Sequence, residues 1–574
     1  MNASRSILLV ARPWARAAAI AAAVVGAAGS ASAQDIISTD TTISAPVSYG
    51  QLVVGGTASP GPTLTINSGA VINISASGSP GFTVGFARTA PASSGPYAAV
   101  VQNGGSVSIG GDAQLYMGTN ISSFGTLYSP ASASYTLNDG SITLGSVGSS
   151  AANLLVLGRS AGNNTFTQTG GTFTVYRTGG APTAFSLGSV GVGQNTYSIS
   201  GGTFEGIGVT TAGWGMQVGG VVGGAGTLTI NGSTAVFAIQ QQNAVFSVGE
   251  TATVNLNSGT LALNGNVTRG QPSGASAPGT VNFTLGGGTL RPYDANLTVG
   301  VATAPNTQPF NITLAPSTTS TITGVGWKTS SLHTVTMDSP LIGSGNIEFS
   351  GGTVSLTATS TYTGTTNVSG GTLSLAAGGA FASSTSISVA AGATLGLTSK
   401  TSGFSFGSGQ TLGGSGSVAL PTSGSGVSLA GFLAPGGGTA GTLAFTNAGT
   451  FDITSAINSP TNRLQFGLGT VSDLVTVASG TLAIGTGLLE FNDFDFTELT
   501  GFGQGTYTLF SALSPISGSL GASTSGSIGS FTGTLQQAGN EIQLVVVPEP
   551  GTLPLAGLGF AAAAYALRRR RSFP

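Results

Sequence analysis

Between Gly343 and Leu375 the chain reads GSGNIEFSGGTVSLTATSTYTGTTNVSGGTLSL, and one unit occurs in it twice: Gly351-Gly352-Thr353-Val354-Ser355-Leu356 and Gly370-Gly371-Thr372-Leu373-Ser374-Leu375. A glycine pair permits a turn with positive φ. After it, Val354 and Leu356 point one way while Ser355 and Thr357 point the other, and Leu373 and Leu375 repeat this around Ser374. Period-two alternation is the signal of a strand with one buried face. One such strand cannot bury itself, so its copies must stack on each other.

Weaker copies fill much of the chain. From Gln34 to about Gly300 a post-strand glycine recurs at Gly69, Gly105, Gly140, Gly171, Gly202, Gly232, Gly259 and Gly288, the last six intervals being 35, 31, 31, 30, 27 and 29 residues. An aliphatic-Gly landmark falls at Leu157-Gly158, Leu187-Gly188, Val218-Gly219 and Val248-Gly249, at intervals of 30, 31 and 30. Two landmarks in phase predict one helical coil per repeat, each with two or three short strands. Residues 301–342 lose the register: Thr and Ser cluster from Ser317 to Thr323, and Lys328 and His333 interrupt the uncharged pattern. This stretch reads as an irregular coil or a soft boundary. Some 17–25 coils at about 4.8 Å each predict a rod on the order of 80–120 Å long. Neither end offers an obvious polar cap.

Composition fits stacking. The chain has 40% hydrophobic residues, a net charge of −2 and only 6% charged residues, against an ordinary charged share of about 25%. That is not the profile of a disordered chain. In a solenoid a charge written into the repeat becomes a ladder of like charges, each neighbouring pair costing about 1 kcal/mol even in water. Thr, Ser, Asn and Gly occupy ladder positions without that cost. There is no cysteine, so disulfides and thiolate metal sites are excluded, and the single His333 argues against a histidine triad or a His-rich metal site.

The segment holding the repeated unit resembles the autotransporter-associated β-strand repeat. The matching parts are Gly352-Thr353-Val354, Tyr362-Thr363-Gly364 and Val368-Ser369-Gly370-Gly371-Thr372-Leu373. Leu433-Ala434-Pro435-Gly436 and Gly505-Thr506-Tyr507-Thr508-Leu509-Phe510 are similar to segments that often follow such repeats. The resemblance implies an exported parallel β-helix displayed at the surface and no enzyme activity. A true autotransporter ends in a membrane β-barrel. Here the alternating strands give way to an apolar run and an arginine cluster.

Both termini carry addresses. Arg5, Arg12 and Arg16 precede the short apolar run Ala17 to Ala28, and Ala31-Ser32-Ala33 forms an Ala-x-Ala cleavage site, so the mature chain is expected to begin at Gln34. At the other end Pro548-Glu549-Pro550 precedes an apolar run from Leu553 to Leu567 and then Arg568, Arg569, Arg570 and Arg571. As a helix of about 22 Å the run is short for a bilayer core of about 30 Å, a gap that snorkelling arginines narrow. The basic end predicts a cytoplasmic C-terminus and the rod outside. This tail resembles the PEP-CTERM sorting signal. The resemblance implies recognition by an exosortase-like membrane protease, cleavage near the Pro-Glu-Pro, and delivery to the surface or extracellular matrix, with exopolysaccharide and biofilm or floc formation as the usual associates.

Evidence for chemistry is thin. A glycan-cleaving β-helix needs clustered carboxylates, or a basic residue beside a metal site. Glu490, Asp493, Asp495 and Glu498 form the one dense acidic group, without calcium-loop spacing, and the interleaved Phe491, Phe494 and Phe496 favour a strand or turn edge. Trp214 and Trp327 are candidates for stacking on sugars, and more simply packing residues. Thr-x-Thr pairs, as at Thr172/Thr174, Thr227/Thr229, Thr357/Thr359 and Thr361/Thr363, are candidates for ordering water or binding ice, and more simply outward strand positions. Between Gln34 and Val547 sixteen acidic residues face eight basic ones, a net charge of −8 that disfavours nucleic acid.

The sequence therefore predicts an all-β protein: a right-handed parallel β-helix (β-solenoid) with an N-terminal signal peptide (1–33) and a short C-terminal transmembrane helix. Residues 34–300 form a solenoid with ~30-residue repeats, 301–342 the irregular stretch, 343–547 the solenoid with the autotransporter-like repeat, and 548–574 the sorting signal. The expected role is a structural or adhesive surface or matrix protein, held transiently in the inner membrane and then released. No catalytic, cofactor or metal residue is expected. The alternative is a glycan-binding or glycan-cleaving β-helix, which an ordered row of acidic and aromatic side chains along one groove would favour.

Overall fold

A computed structural model describes residues 34–549, apart from 56–60, 76–80, 88–97, 111–113, 119–128, 131, 148–153, 159–161, 178–183, 189–192, 209–214, 221–223, 247–249, 271–278, 302–309, 425 and 458–462. The described chain is almost entirely β-strand, wound into a solenoid with three strand columns. One layer shows the plan. Strands Asn164–Gln168, Thr172–Tyr176 and Phe185–Leu187 lie on successive faces. The next layer places Gly193–Ile199, Thr203–Ile207 and Met216–Val218 beside them, each pairing in parallel.

The register reproduces the spacing in the sequence. Asn164 pairs with Asn195 and Tyr197 with Leu228, each a step of 31 residues. Val354 pairs with Leu373 in the repeated unit, a step of 19. Layer length therefore varies while the stacking persists. Parallel pairing also continues across residues 301–342, where Ile312 pairs with Leu341 and Ile322 with Phe349. The Thr/Ser cluster there forms the strand Thr319–Thr323.

Alternation sets the core. In Thr353–Leu356 and Thr372–Leu375 the aliphatic residues are buried and the Thr and Ser half-exposed. One continuous apolar column runs from Ile43 to Val546. Where the first face bends into the second, backbones of successive layers nearly touch. Gly202 has φ of +76°, and a Cβ there would lie 2.2 Å from the carbonyl oxygen of Gly171. A side chain is excluded at that turn by both conformation and space.

The stack ends in a different pattern. Strand Gly505–Ala512 pairs in parallel with Leu474–Val477, but antiparallel with Glu541–Pro548. Glu541–Pro548 pairs antiparallel with Phe531–Ala538, which pairs with Ser525–Ile528. This meander ends the parallel stack and covers an edge that would otherwise present free backbone groups. The C-terminal end thus has the cap that the sequence reading did not find, and Gly539-Asn540 between alternating strands is its hairpin signature.

The expected transmembrane helix is corrected. Among the described residues no helix is long and apolar enough to cross a membrane. The α-helix Thr454–Ile457 is a single turn of 4 residues, against the roughly 20 that a bilayer core requires. The apolar run 553–567 lies outside the described residues.

Candidate functional site

The sorting tail leaves the rod at its capped end. Strand Glu541–Pro548 alternates buried Ile542, Leu544 and Val546 with outward residues, and this alternation stops at exposed Val547, Pro548 and Glu549. Pro548 is the last strand residue, opposite Phe531. Proline has no N–H to give a further ladder bond, so it suits a strand end. The Glu549 amide donates to the Ser530 carbonyl at 3.2 Å, the last backbone tie before the tail. The first two residues of the predicted motif are therefore solvent-accessible, at the very end of the antiparallel strands that anchor the tail. Pro550 and Arg568, Arg569, Arg570 and Arg571 lie outside the described residues, as do Ala31 and Ala33. Gln34 begins the first strand, Gln34–Ile37, and pairs with Gln51.

The acidic group does not form a site. Asp493 is buried, and its Oδ2 accepts the Glu490 N–H at 2.7 Å in a short 3₁₀ turn, Phe491–Asp493. Glu490 Oε1 accepts the amides of Ala522 and Ser523, both at 3.2 Å. Asp495 and Glu498 are exposed on the strand that follows. Burial, with the Glu490 charge adding to it, raises the Asp493 pKa to about 6, although the Glu490 amide acts in the opposite direction. Among the described residues no group of three or more His, Asp or Glu is placed to hold a metal ion.

The other dense polar cluster sits on the second face. Segment 324–333 folds over the rod there, and Trp327 packs with Tyr293, Ala238 and Ala262, its ring 5.3 Å from that of Tyr293. Glu205 accepts from the Tyr293 hydroxyl and from Lys328 Nζ at 2.6 Å. Burial and the Glu205 contact push the Tyr293 hydroxyl pKa far up. These side chains satisfy one another and fasten the segment, and Trp327 is a packing residue. Trp214 lies outside the described residues. A cleft of about 420 Å³ beside His333 is lined by Asn296, Leu332, Thr334, Thr353 and Thr372 and has no carboxylate.

What the sequence did not disclose is a set of polar residues inside the rod. Asn164 Nδ2 donates to Asn195 Oδ1 at 2.8 Å, and Asn164 Oδ1 accepts the Ala133 amide at 3.1 Å. The Tyr135 and Tyr197 hydroxyls donate to Gln102 and Gln168 Oε1 at 2.7 and 2.6 Å. All six side chains are buried. They are structural ladders that fasten one layer to the next.

Residues 546–571 match the model of the PEP-CTERM protein-sorting motif. The match begins inside the last strand of the cap and ends with Arg571, the last residue of the arginine cluster. It supports an exosortase-sorted surface or extracellular protein. No curated protein matches the chain. The transient inner-membrane anchoring expected from the tail is corrected with the helix on which it rested, since no described helix can span a bilayer.

Proposed function

We propose that this chain is an exported structural rod, displayed at the cell surface or in the extracellular matrix through an exosortase-type system. The observation that carries this reading is the sorting motif at the exposed end of a capped β-solenoid. In this reading the signal peptide is removed after Ala33, leaving Gln34 as the first residue, and the tail is processed beside Pro548-Glu549-Pro550. The folded rod then serves as spacer or adhesive, associated with exopolysaccharide, and its repeats are of the autotransporter-associated type. Its role is mechanical and not catalytic. Support comes from outward strand positions dominated by Thr, Ser and Asn, and from carboxylates engaged in turns and in an ion pair. No nucleic-acid partner is proposed.

Intact-mass and terminal analysis of the protein from native cells, with fractionation, tests this. The expected result is an N-terminus at Gln34, a C-terminus near Pro548–Gly551 and recovery from the surface or medium. A chain ending at Pro574 and confined to the cell interior would contradict it.

A further inference from the structure

The first face of the rod carries a two-dimensional array. Its strands include Asn164–Gln168, Gly193–Ile199, Gly224–Ile230 and Ala252–Leu256. From Ser134 to Thr284 each layer presents a Thr-x-Thr pair or a close variant with Ser or Asn. Thr165 and Thr167 stack on Thr196 and Ser198, which stack on Thr227 and Thr229. The pairing holds without a register shift within this face from Ala133 to Leu285. No outward strand position of this face, from Ser134/Thr136 to Asn282/Thr284, is charged or aromatic. The hydroxyls of Thr165, Thr167, Thr196 and Thr227 bond to no other described residue.

Stacked rings line the interior of this face. Tyr135 of strand Ala133–Leu144, Phe166 and Tyr197 point inward and stack at 4.8 and 4.9 Å with interplanar angles of 9° and 4°. The Asn164–Asn195 ladder runs alongside. The second face begins with the same chemistry at Thr172 and Thr174, but Thr203 and Glu205 follow, with Lys328 and Trp327 laid over them.

We propose that the first face is an ice-binding surface. Its hydroxyls recur about every 4.8 Å between layers and about every 6.7 Å along a strand. Both repeats lie close to oxygen spacings on the faces of hexagonal ice. The threonine methyls hold water in place between the hydroxyls, and no charge imposes a competing radial order. A rigid array pays its ordering cost at folding and not at adsorption. Glycan chains fit the face poorly, because it has no aromatic platform.

The test uses the purified full chain in ice-shaping and ice-recrystallisation assays, with T196Y and T227Y on the first face and T174Y on the second. Circular dichroism and sedimentation follow fold and association. The expected result is activity in the parent, a fall of about tenfold in potency for each first-face variant, and no change for T174Y. Should the tyrosine variants misfold, T196V, which keeps the shape and methyls, is expected to lose part of the activity. A folded parent without ice activity overturns the assignment. Equal loss in T174Y does so too, as does a parent that self-associates through this face and is separated by T196Y. Adsorption needs the face and not the sorting route, so this outcome is independent of tail processing.

Discussion

Tyr197 shows what single residues contribute to this core. Its ring stacks on Phe166, and its hydroxyl donates to buried Gln168 at 2.6 Å. Y197F keeps the ring and leaves the Gln168 oxygen without that donor. The variant should lose about 1–3 kcal/mol of stability, the usual cost of a buried unpaired polar atom, measured by chemical denaturation. The alternation that buries Tyr197 and Ile199 is legible in the sequence. The burial of Gln168 and Asn164 is not, because polar residues at inward positions look like outward ones until their partners one layer away are known. The same holds for the acidic group, where composition shows four carboxylates and only geometry shows Asp493 turned inward to cap a turn.

At the scale of elements, the strand columns were readable because a 31-residue step keeps two landmarks in phase. The C-terminal meander was not, since an antiparallel strand alternates like a parallel one. Only the two-residue turns Gly529-Ser530 and Gly539-Asn540 mark its reversals. The turn that carries Asp493 lies next to this cap, and its titration reports on it. Asp493 has an ordinary value of 3.8 and is raised to about 6 in the folded state. The native state therefore holds this proton at pH values where the unfolded chain has lost it. Stability from this group is full below the ordinary aspartate value and falls as pH rises through about 6. D493N keeps an acceptor for the Glu490 amide and carries no charge. Thermal melts across that window should show a flatter pH dependence for D493N than for the parent. An unchanged slope would place the titration elsewhere.

For the whole molecule, reach, the regularly repeating face and the position of the tail all follow from one assignment: one repeat is one layer. Roughly eighteen layers at about 4.8 Å make a rod on the order of 80 Å, with the sorting tail at its capped end. This scale was the most legible in the sequence, through repeat spacing, missing charge and the Pro-Glu-Pro tail. The membrane helix was the exception: the apolar run followed by arginines has the composition of a span but lies outside the described residues, and no described helix is long and apolar enough to cross a membrane. The most direct measurement is an in-register deletion. Removing residues 166–196 joins Thr165 to Tyr197, whose pairing partners are one layer apart. Circular dichroism and thermal melting should show an intact, cooperative β-fold for this variant, and loss of cooperative melting when only the first half of that segment, through Pro182, is removed. If the full-repeat deletion unfolds the chain as completely as the half-repeat deletion, the layer assignment is wrong.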